Sequence, residues 1–321
     1  MFYEGKRLLV TGGAGFVGTH FVRALLARGA RIRVPIHRRP MIVQDPGIEV
    51  VQADLSRLED CRGVCDGVNF VIHAAGSVGA AGNSTSHAVS SITLNLVLTA
   101  QMLQAAAEMG VQRFLVFSSS TGYPVADHPV KEEEMWGGPP HPAYFGYGWM
   151  RRYLERMSEF LASKLEIGIA IVRPTAIYGR YDNFDSLASH VIPALIRRAV
   201  AREDPFEVWG TGNEVRDFLH VTDLVTGSLL ALEKHAVCDP LNIGHGKAVT
   251  VNSLVRTVLT AAGHSNATVV FNPSRPTVIP VRKVDTSKAE RTLGFVPSVS
   301  LEQGIADTVA WYRDCARAEG R

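Results

Sequence analysis

Short apolar runs alternate along the first half of the chain with stretches whose apolar positions recur every three or four residues. RLLVTG (7–12), RIRVPIH (31–37), IEVVQAD (48–54), NFVIHAAG (69–76), RFLVFSSS (113–120) and IGIAIVRP (167–174) are too short for helices and rich in β-branched residues, so they read as buried parallel strands. Thr19–Arg28 and Ile92–Met109 carry the helical period between them. Strand and helix in alternation build right-handed βαβ units and hence a doubly wound α/β sheet. Beyond Arg173-Pro174 the texture changes to longer loops with more proline and aromatic residues, as in IYGRYDNFDS, AREDPFEVWG and FNPSRPTVIPVRK. The pattern therefore predicts a large domain over 1–178 and a smaller, less regular one mainly over 179–321 (179–216 and 247–321). DFLHVTDLVTGSLLALEK and PLNIG, within 217–245, return to the large domain.

With 321 residues, 46% of them hydrophobic and 20% charged, the chain has enough apolar surface for a large core. A formal net charge of +2 and the lack of a long Lys/Arg run leave no electrostatic footprint for nucleic acid. The N-terminus runs into a strand without a signal-type apolar segment, and no segment approaches the roughly 20 apolar residues of a membrane span. A cytoplasmic protein without a membrane partner is the expectation. Four cysteines, Cys61, Cys65, Cys238 and Cys315, make no disulfide framework for a chain of this length, and the lone CxxxC lacks a His/Cys pair at zinc spacing, so no metal site is expected.

Directly after the first strand stands Thr11-Gly-Gly-Ala-Gly-Phe-Val-Gly18. Gly13, Gly15 and Gly18 satisfy GxGxxG, and Gly12, Gly15 and Gly18 satisfy GxxGxxG. Between a strand and a helix, such glycines give a tight turn, close approach of backbone to a pyrophosphate, and helix amides facing that anion. The large domain is thus expected to be a Rossmann-type dinucleotide fold with a smaller C-terminal substrate-binding domain. The second strand ends in Pro35-Ile-His-Arg-Arg-Pro40 without the acid that would hold a ribose 2′-hydroxyl. His37, Arg38 and Arg39 there favour NADP(H), with NAD(H) beside a solvated basic loop as the alternative. Asp54, after the third strand, either accepts from the adenine amino group or caps the next helix.

TGGAGFVG (11–18), ADL (53–55), HAAG (73–76), Asn95 in ITLNLV, SSSTGYP (118–124), YGWMR (147–151) and RPTAIYG (173–179) together resemble the extended short-chain dehydrogenase/reductase family. The resemblance covers essentially the whole chain. It implies that Phe16, Val17, Leu55, Ala74, Ala75, Gly76, Asn95 and Pro174 adjoin the cofactor. Within that family the second half is similar to the GDP-L-fucose synthases, in YGRYDNFDSLASHVIPALIRRA (178–199), FEVWGTGNEVRDFLHVTDL (206–224) and PVRKVDTSK (280–288). That similarity implies a GDP-sugar pocket lined by Asn183, Val191, Leu195, Trp209, Arg216 and Lys283. Trp209 is suited to stack on a base, and Arg216 and Lys283 to neutralise a diphosphate.

The family's chemistry implies a tyrosine that exchanges a proton with the substrate oxygen, a lysine four residues on, and a Ser/Thr hydroxyl. Tyr147 takes the first role, and its i+4 neighbour is Arg151, where the family has lysine. A guanidinium still favours tyrosinate and still donates to a ribose hydroxyl, but it cannot pass a proton along a relay. Tyr144 has Gly148 at i+4 and reads as a packing or substrate-contact aromatic. Counting back four from Tyr123 selects Ser119 as the catalytic hydroxyl, ahead of Ser120. Thr121 stands where the fucose synthase resemblance calls for a cysteine, and His190 matches that enzyme's histidine. Two-sided C3/C5 epimerisation is thereby disfavoured, while hydride chemistry at C4, or epimerisation at one carbon with His190 as acid/base, is retained.

The leading expectation is an NADP(H)-dependent nucleotide-sugar enzyme, GDP-linked, acting as a 4-ketoreductase. The rival is an epimerase at C4, or at C3/C5, that keeps its NAD(P). A third reading, motivated by Arg151 alone, is a dinucleotide-binding regulatory protein with impaired catalysis. The resemblance further implies a homodimer built from the helices around 92–109 and 147–165.

Overall fold

The computed structural model describes residues 2–77, 85–184, 189–275, 277 and 279–318. The strands are β1 (Arg7–Thr11), β2 (Arg31–Ile36), β3 (Ile48–Gln52), β4 (Phe70–His73), β5 (Arg113–Phe117), β6 (Gly168–Pro174), β7 (Ala176–Tyr178), β8 (Phe206–Trp209), β9 (Val215–Arg216), β10 (Phe218–His220), β11 (Leu241–Ile243), β12 (Val249–Thr250), β13 (Val269–Asn272) and β14 (Val281–Arg282). The helices are α1 (Phe16–Leu26), α2 (Leu58–Cys65), α3 (Thr85–Glu108), α4 (Phe145–Lys164), α5 (Val191–Val200), α6 (Val221–Lys234), α7 (Val251–Ala261), α8 (Ser287–Leu293) and α9 (Leu301–Ala318).

A seven-stranded sheet of order β11-β6-β5-β4-β1-β2-β3, parallel throughout, forms the large domain. Alternate residues of its central strands feed two cores. Leu8, Val10, Ile72, Leu115 and Val172 meet α1 and α6 on one face, whereas Leu9, Val71, Phe114, Val116 and Ile171 meet α2 and α3 on the other. The chain order turns back on itself between β1 and β4, so the crevice beyond their carboxyl ends is the place for a ligand. The polar tails of the apolar runs leave the sheet there: β4 ends at His73 and β5 at Phe117, which frees residues 74–77 and 118–124 as loops.

Two expectations need correction. β3 is not buried: as the outermost strand it leaves Val50 exposed, because only one neighbour covers it. Residues 89–108 of α3 are also long and apolar enough, by length and composition, to cross a membrane, with a mean hydropathy of 1.2. Leu, Val, Ile, Met and Ala, with no charged residue before Glu108, raise that value against the polar Ser, Thr, Asn and Gln among them. Met102, Leu103, Ala105 and Ala106 are nevertheless packed into the core beneath the sheet, as in a core helix.

The smaller lobe packs α5, α7 and α9 around β8 and β13, with Ile192, Ile196, Phe206, Val255, Ile305 and Val309 at its centre. A three-stranded sheet, β12-β9-β14, sits between this lobe and the crevice-side loops, since Val130 after β5 bridges to Val284.

Candidate active site

The glycine turn has the shape a pyrophosphate cradle requires. Gly12 has φ of 68°, and a Cβ there would lie 2.7 Å from the Ala74 carbonyl oxygen. A Cβ on Gly18 would lie 2.0 Å from the Gly12 carbonyl oxygen, so α1 can approach the turn this closely only with glycine. Gly15 caps α1, Phe16 and Val17 open its first turn, and no acidic residue there opposes an anion. A side chain on Gly13 would strike Val34. Thr11 Oγ1 accepts from the Ala75 amide at 3.0 Å and lies 2.9 Å from His73 Nδ1, joining the turn to the end of β4. Burial drives the His73 pKa down to about 3, with Arg151 adding to the shift, so this imidazole is neutral.

Asn95 is buried and spends its amide on the backbone of Ser77, accepting from the nitrogen at 2.9 Å and donating to the oxygen at 2.7 Å. It shapes the loop over Gly76, whose missing side chain would sit 2.7 Å from Asn95 Oδ1. Asp54 is not the cap of α2, where Arg57 stands. Its carboxylate accepts from the Ser56 amide and hydroxyl, which hold its pKa below the usual carboxylate range, while Leu55 is buried beside it. His37, Arg38 and Arg39 are exposed on the loop after β2, and Gln52 donates to the His37 carbonyl at 2.9 Å. Pro174 closes β6 and is buried.

Tyr147 and Arg151 lie one turn apart on α4. Arg151 Nη2 donates to the Tyr147 hydroxyl at 2.6 Å and Nη1 to the Phe117 carbonyl at 2.6 Å, fastening α4 to the end of β5. The guanidinium also lies 4.9 Å from the Tyr147 ring centre. Arg151 Nε is buried and has no internal partner, so a donor remains for a bound group. On the turn packed against α4, Ser119 Oγ accepts from the Thr121 amide at 3.1 Å and the Thr121 hydroxyl at 2.9 Å. Both lone pairs of Ser119 are thus occupied, and its own proton is free to point outward. The Thr121 hydroxyl, committed to Ser119, is not free as an acid. Gly148 lets the turn touch α4, because a Cβ there would sit 2.9 Å from the Thr121 carbonyl oxygen.

Three residues before Tyr147, Tyr144 is close enough to Arg216 and Arg282 to feel their charge, although burial outweighs them and raises its pKa. Arg216 on β9 and Arg282 on β14 are paired in register. Lys283, one residue further and partly exposed, gives its carbonyl to the Val130 amide. Arg282, which the sequence did not single out, stands beside Arg216 as a second buried cation. Two adjacent cations in PVRKVDTSK do not reveal which one faces the site until the strand register is known. Trp209 is 53% exposed, with Arg275 over its ring at 5.5 Å. Asn183 and Val191 are exposed, whereas Leu195 is buried in the core of the smaller lobe. His190 caps α5 with Nδ1 3.7 Å from Asp182 Oδ1, and that carboxylate raises its pKa against the opposing effect of burial. Asp182 carries no periodic or motif signal in the sequence.

A family model described as the NAD-dependent epimerase/dehydratase family matches residues 8–244. A dTDP-4-dehydro-6-deoxy-D-allose reductase from a Streptomyces species is 30% identical, with 97% of each chain covered. The GDP-L-fucose synthase of Escherichia coli is 29% identical, with 96% of each covered. Among solved structures, the UDP-glucose 4-epimerase of Thermotoga maritima with UDP-glucose superposes with a TM-score of 0.86 at 26% identity, covering 96% of this chain and 99% of that one.

Proposed function

The chain belongs to the NAD-dependent epimerase/dehydratase family, and from that premise we propose that it reduces the C4 carbonyl of a nucleotide-linked 4-keto-sugar with NADP(H). The observation that carries this reading is the Tyr147 hydroxyl, held at 2.6 Å by Arg151 on a helix packed against the turn that carries Ser119. The glycine turn, with contacts a Cβ would fill, and the unpartnered Arg151 Nε fit a dinucleotide. When bound, the nicotinamide supplies the hydride for C4. Ser119 donates to the C4 oxygen and orients the carbonyl. Tyr147 hands its proton to that oxygen as charge develops, and Arg151 stabilises the tyrosinate left behind. Because Arg151 retains its charge, Tyr147 recovers its proton from solvent and not through the guanidinium.

Arg216 and Arg282 are suited to the diphosphate of the substrate, and exposed Trp209 to the base. The similarity to GDP-L-fucose synthase supports a GDP-linked substrate, and the exposed Arg38 and Arg39 support the 2′-phosphate of NADP(H). With Thr121 bound to Ser119, His190 lacks an acid partner across the sugar, which supports reduction over C3/C5 epimerisation. The likeness to a UDP-glucose 4-epimerase supports a second reading, C4 epimerisation with retained cofactor. Loss of NADPH absorbance on adding GDP-, dTDP- or UDP-linked 4-keto-sugars separates the two. Epimer formation without net NADPH loss would replace the reductase reading, and binding without turnover of any of them would revive a regulatory role.

The intended assembly is a homodimer in the cytoplasm. Phe145, Trp149, Tyr153 and Phe160 form an exposed aromatic stripe along α4 beside exposed Leu94 of α3, a face suited to a second copy. Sedimentation velocity should give twice the chain mass for the wild type and one chain mass for Tyr153→Glu/Phe160→Glu; a wild-type monomer would refute it.

A further inference from the structure

We propose that Arg282 is a positioning residue that couples occupancy of the anion subsite to the turn carrying Ser119 and Thr121. The inference rests on the diphosphate reading of that subsite. Arg282 is only 9% exposed, yet it stands in register beside Arg216, and among the described residues neither guanidinium is ion-paired with a carboxylate. Its Nη1 donates to the Pro124 carbonyl at 3.1 Å, its Nη2 reaches the Tyr123 carbonyl at 3.4 Å, and its Nε is buried without an internal partner. Burial pushes its pKa down to about 10. Arg216 is anchored differently, donating to the carbonyls of Val215, Ile279 and Pro280.

The chemistry follows from the shape of a guanidinium, which offers five donors in one rigid plane. One edge of Arg282 is spent on the carbonyls that end the 118–124 turn, and the remaining Nε–H suits an anion. An anion that fixes this plane therefore also fixes the Tyr123 and Pro124 carbonyls. Within the same turn, the Gly122 amide bonds to the Ser119 carbonyl at 3.1 Å and the Tyr123 amide to the Ser120 carbonyl at 3.3 Å, so it opens or holds as a unit. Diphosphate binding thereby sets the Ser119 hydroxyl as well as contributing affinity. A sugar without the diphosphate would leave the turn free to open. A lysine has one compact charge and cannot span the anion and both carbonyls.

The test is amide hydrogen exchange at Thr121, Gly122 and Tyr123 in the full chain, with and without saturating inorganic pyrophosphate. In the wild type, pyrophosphate should slow exchange at these amides at least fivefold. Arg282→Lys, checked by its melting temperature, should still bind pyrophosphate but lose the slowing. Arg216→Lys should require more pyrophosphate yet regain the slowing at saturation. Equal slowing in wild type and Arg282→Lys, or no slowing in the wild type, would overturn the coupling. In turnover, Arg282→Lys should lower kcat at least tenfold beyond any rise in KM; a change confined to KM also counts against it. The exchange experiment uses no sugar, so a failure of the nucleotide-sugar reading shows as absent turnover, separately from its result.

Discussion

At the scale of single residues, the replacement of the family's lysine by Arg151 decides what kind of chemistry survives. The guanidinium keeps the two contacts that matter for Tyr147, one to its hydroxyl and one to the Phe117 carbonyl that fixes the angle of approach. Tyr147→Phe should therefore reduce kcat by at least about a thousandfold, since the proton donor itself is removed. Arg151→Lys should retain turnover within roughly tenfold, because an ammonium restores the charge but not both hydrogen bonds. Steady-state NADPH oxidation checks both, and full activity in Tyr147→Phe would remove Tyr147 from the mechanism. His73 offers a pH test of the same crevice. Its native pKa of about 3 lies below the ordinary histidine value, so the unfolded chain binds a proton that the folded chain refuses. Stability is thus complete above about pH 6.5 and falls as pH drops toward 3. Urea titrations between pH 6.5 and 5 should show His73→Gln losing about 1 kcal/mol per pH unit less stability than the wild type. Identical slopes would mean that His73 takes up a proton in the fold as readily as in the unfolded chain.

At the scale of elements, the site is made by loops that end apolar runs, and this explains which parts were legible. TGGAGFVG announces its turn because glycine alone tolerates φ of 68° at position 12 and the Gly12–Gly18 approach. Gly12→Ala would place a Cβ against the Ala74 carbonyl, so it should weaken NADPH binding at least tenfold by fluorescence titration and lower the melting temperature. Unchanged affinity would mean that the turn does not cradle the cofactor. Periodicity likewise exposes the sheet, since Leu8/Val10 and Leu9/Val71 divide by parity between its faces. It does not expose register in short strands. β9 and β14 have two residues each, and only their pairing brings Arg282, and not Lys283, beside Arg216. Nor does periodicity reveal a residue used through its neighbours. Asn95, which the resemblance puts beside the cofactor, also holds the loop before it through the Ser77 backbone. Leu195 sits on the inward face of α5 because the helix has only one apolar stripe and the core takes it.

At the scale of the whole molecule, a buried polar network joins segments that the sequence separates widely. Glu155 on α4 accepts from Ser118 and holds Arg173 of β6 through bonds of 2.8 and 2.6 Å. Arg173 donates on to the Tyr123 hydroxyl at 2.9 Å and the Glu132 carbonyl at 2.7 Å, and Tyr123 donates to Asn242 of β11 at 2.7 Å. Asn242 in turn donates to the carbonyls of Val130 and Asp285 at 3.0 Å. Helix α4, the edge of the large sheet, the catalytic turn and the strand region leading to α8 are thus held by one set of buried charges. Such a pair contributes little net stability when replaced as a unit, but breaking one partner strands the other without water. Glu155→Gln should therefore cost about 3 kcal/mol in urea unfolding, because the Arg173 charge loses its counterion in a site closed to solvent. Glu155→Leu combined with Arg173→Met should recover most of that loss, since two apolar side chains of similar length bury without a desolvation penalty. Activity should not return with it. Ser118 would lose its acceptor and Tyr123 the guanidinium that donates to it, and the turn that presents Ser119 would be held by Arg152, Arg282 and the Tyr123–Asn242 bond without its buried charges. A double variant that regains both stability and kcat would show that the network serves the fold alone, whereas stability without kcat assigns it to the placement of the catalytic turn.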